Sequence, residues 1–362
     1  MTTPATNPLV LAKTFGQRLW LDNLSRELLA GPLQKLIAED GLSGVTSNPA
    51  IFQKSISAGA GYADDLAALK AQSLSAEQRF EALAVPDVQG ACDLFASVYR
   101  ESNGLDGYVS LEVSPYLARD GAGTEAAAKR LWAAIQRPNA MIKIPATAES
   151  LPAFTAAIAA GINVNVTLMF GQRDCDAVFD AYVAGLRQRL AAGGDVRHVR
   201  SVASLFLSRV DTLIDGKLDA LGGAAVALKG KAALAMVKVA YARWMARWNS
   251  AECADLRAAG ANIQRLLWAS TGTKNPAYPD TLYVDNLIGP DTVNTLPDAT
   301  LAAFRDHGKA SASLSVGVAE AEATLKALAD AGIDMDAVAV QLQVDGLKLF
   351  DEAFDKLLAL LA

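Results

Sequence analysis

Short apolar runs separated by longer, alanine-rich amphipathic stretches recur along almost the whole chain, and this repeat restricts the fold more than any other feature. Eight runs read as strands, at 18–22, 44–47, 108–113, 141–145, 162–168, 202–207, 266–270 and 281–285. Between them the apolar spacing predicts helices, for example over 125–135, 152–160 and 174–190. Several strands are apolar at consecutive positions, as expected of parallel strands with helices on one face and barrel filling on the other. Strand, helix, strand repeated eight times predicts an α/β chain folded as a (β/α)8 TIM barrel. A doubly wound open sheet is the competing architecture. Its nucleotide signatures are missing: no G-x-G-x-x-G follows the first strand, no G-x-x-x-x-G-K-[ST] occurs, and Gly121-Ala122-Gly123 is an isolated loop fragment.

Two regions exceed a minimal barrel. The stretch 211–259, after the sixth strand, is long for one connection and reads as two helices; the tail 314–362 is helical in pattern. The 362 residues, 52% of them hydrophobic, suffice for one barrel domain over 1–362, with 298–362 expected as C-terminal helices packed on the barrel. In the first region Arg243-Trp244 and Arg247-Trp248 repeat at a spacing of four. A nucleic-acid surface can look like this. A helix that packs its tryptophans on the barrel and solvates its arginines accounts for it with less.

A net charge of -6 speaks against a nucleic-acid partner, because duplex binding draws on Lys and Arg at phosphates. The three cysteines, Cys92, Cys175 and Cys253, are far apart and suit a reducing compartment, with no disulfide framework or zinc motif. The two histidines, His198 and His307, read as surface or turn residues. Met1-Thr2-Thr3-Pro4 lacks the basic start of a signal peptide, and charges interrupt the alanine-rich stretches before a membrane span could form. The expectation is a cytoplasmic protein without a membrane partner.

In a barrel, reactive groups project from the C-terminal ends of the strands. Lys143 stands inside the apolar Met141-Ile142-Lys143-Ile144-Pro145. On an edge strand it would snorkel to water; on an internal strand it points into the barrel, where desolvation disfavours ammonium and suits an amine nucleophile. Asp22 and Glu112 end the first and third strands. Each alone reads as a cap or an ion-pair partner, but two carboxyls near one buried lysine can divide proton transfers between them. Asn48, in Ser47-Asn48-Pro49, is a turn signal as well as a strand-end amide. Asn163, Asn165 and Thr167 share one strand face, a polar row that needs partners, which a polyhydroxylated ligand would supply. Ser204 and Arg209 bracket the end of the sixth strand; Ser270 and Lys274 follow the seventh, so hydroxyls, glycine and cations make a phosphate cradle there.

The same residues carry a resemblance. Gly44-Val45-Thr46-Ser47-Asn48-Pro49-Ala50-Ile51-Phe52 resembles the transaldolase signature around the second strand, and Met141-Ile142-Lys143-Ile144-Pro145-Ala146-Thr147 resembles that family's active-site lysine segment. Asn165-Val166-Thr167-Leu168-Met169-Phe170 and Trp268-Ala269-Ser270-Thr271-Gly272-Thr273-Lys274-Asn275-Pro276 resemble its longer bacterial branch. The resemblance implies an enzyme without cofactor or metal, monomeric or homodimeric, that acts on sugar phosphates in the non-oxidative pentose phosphate pathway. It would move a dihydroxyacetone unit from fructose 6-phosphate or sedoheptulose 7-phosphate to an aldose phosphate. Lys143 would form the Schiff base and Asp22 would act on the C4 hydroxyl, while Glu112 and Thr167 would hold a proton-shuttling water. Asn48, Asn165 and Ser204 would bind hydroxyls and Arg209 the distal phosphate, with Thr46, Phe206 and Ser270 as further substrate contacts. In one departure, a second arginine of the best-known branch is missing and Lys274 stands in for it, offering charge without a bidentate fork. A Schiff-base fructose 6-phosphate aldolase and a non-catalytic sugar-phosphate-binding barrel are the alternatives.

Overall fold

The computed structural model describes residues 7–59 and 61–362; residues 1–6, weighed above for a targeting signal, lie outside the described residues. Eight strands pair in parallel and in chain order into a closed barrel: β1 (Gln17–Leu21), β2 (Gly44–Thr46), β3 (Tyr108–Glu112), β4 (Ala140–Pro145), β5 (Val164–Met169), β6 (Ser201–Phe206), β7 (Arg265–Ala269) and β8 (Thr292–Leu296). Helices cover the outside, so the strands are buried on both faces. The architecture is the expected (β/α)8 barrel, and no open sheet edge remains for the competing fold.

The eighth strand is a correction. Residues 281–285 do not form it: Leu282–Asn286 is a short helix, and β8 lies further on at Thr292–Leu296. A run of Leu, Tyr and Val fits a buried strand or a buried helix equally well, because five residues are too few to separate the two periods. Here the Thr281 hydroxyl bonds the Asp285 carboxylate one turn on at 2.8 Å, and the Tyr283 hydroxyl anchors the turn on Asp211 at 2.7 Å. The true strand, Thr-Val-Asn-Thr-Leu, is more polar than its neighbours and so stands out less from the loops around it.

The long connection after β6 holds Ser208–Leu221 and Ala232–Asn249 as its two principal helices. Trp244 and Trp248 are buried, whereas Arg243 pairs with Asp176 and Arg247 with Asp180 and Glu252. The tryptophans are buried as the plainer reading expects, whereas the arginines, expected to be solvated, are held in ion pairs with acids. After β8 come the helices Asp298–His307, Val318–Asp330 and Met335–Leu361. The last buries Val338, Leu342, Gly346, Phe350, Phe354, Leu357 and Leu361, a stripe at helical spacing. Its Gln343 side chain donates to the Ala146 carbonyl at 3.0 Å, tying it to the end of β4. All three cysteines are buried and unpaired, and among the described residues no helix is long and apolar enough to cross a membrane.

The floor of the barrel explains one glycine. A Cβ on Gly44 would lie 2.6 Å from the Tyr108 carbonyl and 2.7 Å from the fully buried Trp20 ring. Gly44→Ala should therefore cost about 1–3 kcal/mol as an overpacked core position. The check is the urea midpoint at unchanged m-value; a midpoint equal to the parent's would show that the interior has slack to give.

Candidate active site

The C-terminal ends of the strands surround a cavity of 160 Å³ lined by Asp22, Thr46, Asn48, Lys143, Thr167, Ser204, Phe206, Arg209, Ser270 and Lys274, with Ala269, Thr295, Pro297 and Phe350. Ten of the twelve expected site residues therefore meet in one place. The two that do not line it, Glu112 and Asn165, are the register partners of Lys143 on the strands to either side.

Lys143 and Glu112 are register partners on β4 and β3, so their side chains leave adjacent strands at the same height. Nζ donates to Glu112 Oε2 at 3.0 Å and to the Ser47 carbonyl at 3.2 Å, and lies 5.7 Å from the Phe350 ring centre. The two charged side chains are only 6% and 5% exposed, so the amine opens onto the cavity and not onto bulk solvent.

Asp22 stands one residue beyond β1, held there by its backbone N–H on the Leu296 carbonyl at 2.8 Å. Its Oδ1 accepts the Thr46 hydroxyl at 2.6 Å, and Thr46 Oγ1 is 2.7 Å from Thr295 Oγ1. Loss of hydration pushes the Asp22 carboxyl above its ordinary range; Lys143 and the Thr46 bond pull against that, and Asp298 adds to it. Burial likewise raises Glu112, against the pull of Lys143 and with a smaller push from Asp22. The site thus brings two carboxyls and one amine together out of water.

The polar row on β5 resolves into three different situations. Asn163 is satisfied by backbone groups of Pro138, Ala140 and Arg200 at the other end of the barrel. Asn165 donates to Ser110 Oγ at 3.1 Å and accepts the Ser204 hydroxyl at 2.7 Å. The partners expected from a ligand are thus protein groups at both asparagines. Thr167 alone keeps a buried hydroxyl with no partner among the described residues. Directly after it Leu168 takes φ 59°, and the β5–β6 register shifts between Val166 and Met169. A bulge with a non-glycine residue in the left-handed region at a strand end is strained backbone, and it re-aims the side chains of the next residues.

Asn48 does both things considered for it. Its Oδ1 caps the helix Pro49–Ser57 by accepting the Ile51 N–H at 3.0 Å, and the residue still lines the cavity. On the opposite wall, Arg209 opens the helix Ser208–Leu221 with its guanidinium 5.2 Å from the Phe206 ring. Its Nη1 is buried without a partner among the described residues, and burial lowers its proton affinity from the ordinary value. An unsatisfied buried cation at a cavity wall is suited to an anion. Ser270, at φ 55°, shares its hydroxyl with Ser208 at 2.7 Å. Lys274 is exposed and forms no ion pair among the described residues.

Sequence reasoning missed Thr295 because it misplaced the eighth strand; the Thr-Val-Asn-Thr alternation was the available signal. It missed Phe350 because nothing in a helix pattern says which barrel end the helix crosses. Both histidines prove exposed, His198 beside Asp195 and His307 between Asp280 and Asp306.

The Thr46 bond can be tested directly. Thr46→Val removes a donor that favours the Asp22 carboxylate, so the Asp22 pKa should rise above its value in the parent. A carbon-detected NMR titration reads this; an unchanged or lowered value would mean that the bond does not tune the carboxyl.

Residues 19–361 match the transaldolase/fructose-6-phosphate aldolase family as a sequence profile. The chain is 53% identical over 346 residues to a transaldolase of Thiobacillus denitrificans, covering 95% of this chain and 96% of that one. It is 52% identical over 348 residues to a transaldolase of Neisseria gonorrhoeae, covering 96% and 97%. A protein of Nostoc sp. named transaldolase 2 is 47% identical over 314 residues, covering 84% and 82%. With the match running through every strand of the barrel, the chain belongs to the transaldolase/fructose-6-phosphate aldolase family.

Proposed function

We propose that the protein is a transaldolase that carries a dihydroxyacetone unit between sugar phosphates as a Schiff base on Lys143. The observation that carries this reading is a buried amine, 3.0 Å from Glu112, opening onto the same 160 Å³ cavity as Asp22. An amine attacks a ketone only when unprotonated, and Glu112 lies within reach to take its proton. Attack at C2 of fructose 6-phosphate or sedoheptulose 7-phosphate gives a carbinolamine. Loss of water, managed by Glu112 and a water on the Thr167 hydroxyl, leaves an iminium. Asp22 takes the C4 hydroxyl proton, the C3–C4 bond breaks, and its electron pair moves into the iminium to form the enamine. The phosphorylated aldehyde departs. Addition of the enamine to an acceptor such as erythrose 4-phosphate reverses these steps, and hydrolysis frees Lys143.

Binding is shared by the rest of the cavity. Ser204 donates its proton to Asn165, which leaves its lone pairs to accept a substrate hydroxyl. Asn48 and Thr46 serve further hydroxyls, and Phe206 walls the carbon chain. Arg209, Ser270 and Lys274 take the phosphate. We read the chain as one barrel domain, monomeric or homodimeric, working in the cytoplasm in the non-oxidative pentose phosphate pathway.

Borohydride with fructose 6-phosphate should attach a three-carbon adduct at Lys143, detected by peptide mass. Lys143→Met should keep the fold and lose turnover by on the order of a thousandfold or more. An unlabelled Lys143, or substantial activity in the variant, would refute the covalent role. Turnover should also require an acceptor aldehyde; steady release of dihydroxyacetone without one would assign the aldolase activity instead.

The raised Asp22 carboxyl sets the pH dependence. Cleavage needs its carboxylate, so kcat should hold above the folded-state pKa and fall as pH drops through it, at a higher pH than an ordinary aspartate would give. Asp22→Ala should still trap substrate while cleaving it about 10²–10⁴-fold more slowly. Parent-like cleavage in that variant would remove Asp22 from the scheme.

A further inference from the structure

Arg209 and Lys274 reach the cavity from different segments, the helix Ser208–Leu221 and the irregular connection between β7 and β8. A lysine on an irregular connection is a poor partner for an arginine unless something fixes that connection. Both ends of the stretch that carries Lys274 are fastened to the helix that carries Arg209. At one end, Ser208 N–H donates to the Ser270 carbonyl at 3.1 Å and the two hydroxyls meet at 2.7 Å. At the other, the Tyr278 hydroxyl donates to Asp215 Oδ2 at 2.5 Å. Ser208 and Asp215 are two helical turns apart, about 10 Å, with Arg209 between them. Between the anchors, Tyr278 N–H closes a turn on the Asn275 carbonyl at 3.1 Å and Ala277 N–H donates to Asn275 Oδ1 at 2.9 Å.

The far anchor is locked from a third side. Asp215 Oδ1 accepts the Gly230 N–H at 2.9 Å. Gly230 has φ +70°, and a Cβ there would lie 2.8 Å from the Tyr278 ring, so the ring passes over bare backbone to reach Asp215. One carboxylate therefore ties the helix to two connections at once, and neither Tyr278 nor Asp215 lines the 160 Å³ cavity.

We propose that Tyr278 and Asp215 are positioning residues which, without touching substrate, hold Lys274 opposite Arg209 so that both cations serve one phosphate. This rests on the reading of Arg209 and Lys274 as the phosphate end of the site. Removing the Tyr278 hydroxyl frees one end of the stretch and lets Lys274 drift, so affinity for the phosphate falls while the distant Lys143 chemistry continues.

The test is steady-state kinetics of Tyr278→Phe with glyceraldehyde 3-phosphate and with unphosphorylated glyceraldehyde as acceptors. The KM for the phosphorylated aldehyde should rise about three- to tenfold, the scale of one charge-assisted contact at a partly exposed site. The kcat and the KM for unphosphorylated glyceraldehyde should stay within about twofold, since a uniform binding contact alters KM alone. In a Lys274→Ala background the same substitution should add nothing. Equal losses with both aldehydes, or additivity with Lys274→Ala, would overturn the positioning role. Calorimetric titration of inorganic phosphate reads the same contact without turnover: weakened binding in Lys274→Ala but parent-like binding in Tyr278→Phe overturns the clasp alone. Parent-like binding in Lys274→Ala overturns the phosphate reading beneath it.

Discussion

The pairing of Lys143 with Glu112 is the constraint around which the mouth of this barrel is arranged. An ammonium taken out of water costs several kcal/mol unless it is paired and hydrogen-bonded, and removing either partner strands the other. The closed sheet supplies the pairing through register, since Glu112 and Lys143 stand side by side on β3 and β4 and the Ser47 carbonyl completes the contact from the end of β2. Asp22 arrives from the end of β1 with Thr46 and Thr295 bracing it, so three buried ionisable groups come from different strands, and two of them, Asp22 and Lys143, line one cavity. Loss of hydration is why both carboxyls sit above their ordinary range even with a lysine beside them.

Opposite that acidic cluster the cavity is cationic. Arg209 carries a buried, unpaired Nη1, and Lys274 makes no ion pair among the described residues. That polarity supports the proposed substrate, with a ketone at one end and a phosphate at the other. The C-terminal helix closes the space from above. Its Gly346 has no side chain where a Cβ would stand 3.3 Å from Arg209 Nη1, and one turn further on Phe350 covers Lys143. The helix that keeps water from the amine thus also leaves room beside the guanidinium.

Legibility in the sequence followed the strength of the local signal. β4 was readable because a lone lysine in an apolar run is conspicuous, and the chemistry of an internal strand follows from it. The eighth strand was not, since Leu282-Tyr283-Val284 carries more strand propensity than Thr292-Val293-Asn294, and what turns the former into a helix is a contact with Asp211 on a distant segment. Asn165 stands out in the sequence as a polar residue that needs partners, but Ser204 on the adjacent β6 and Ser110 on β3, two strands away, supply them, which no spacing within β5 could reveal. Asn48 is ambiguous in the sequence and ambiguous in the fold, a helix cap that also faces the cavity.

By itself the sequence determined the repeat, hence the parallel barrel, and nearly all the residues at its mouth, because strand period and strand-end position are local properties of the chain. Only the tertiary structure decided which of those residues touch. Register between strands put Glu112 beside Lys143, the Thr167 hydroxyl next to the strained bulge is left without a partner among the described residues, and the long C-terminal helix crossed this end of the barrel instead of the other. Each of these depends on contacts between segments tens to hundreds of residues apart, where hydrogen-bond geometry and packing choose among arrangements that local pattern leaves equal.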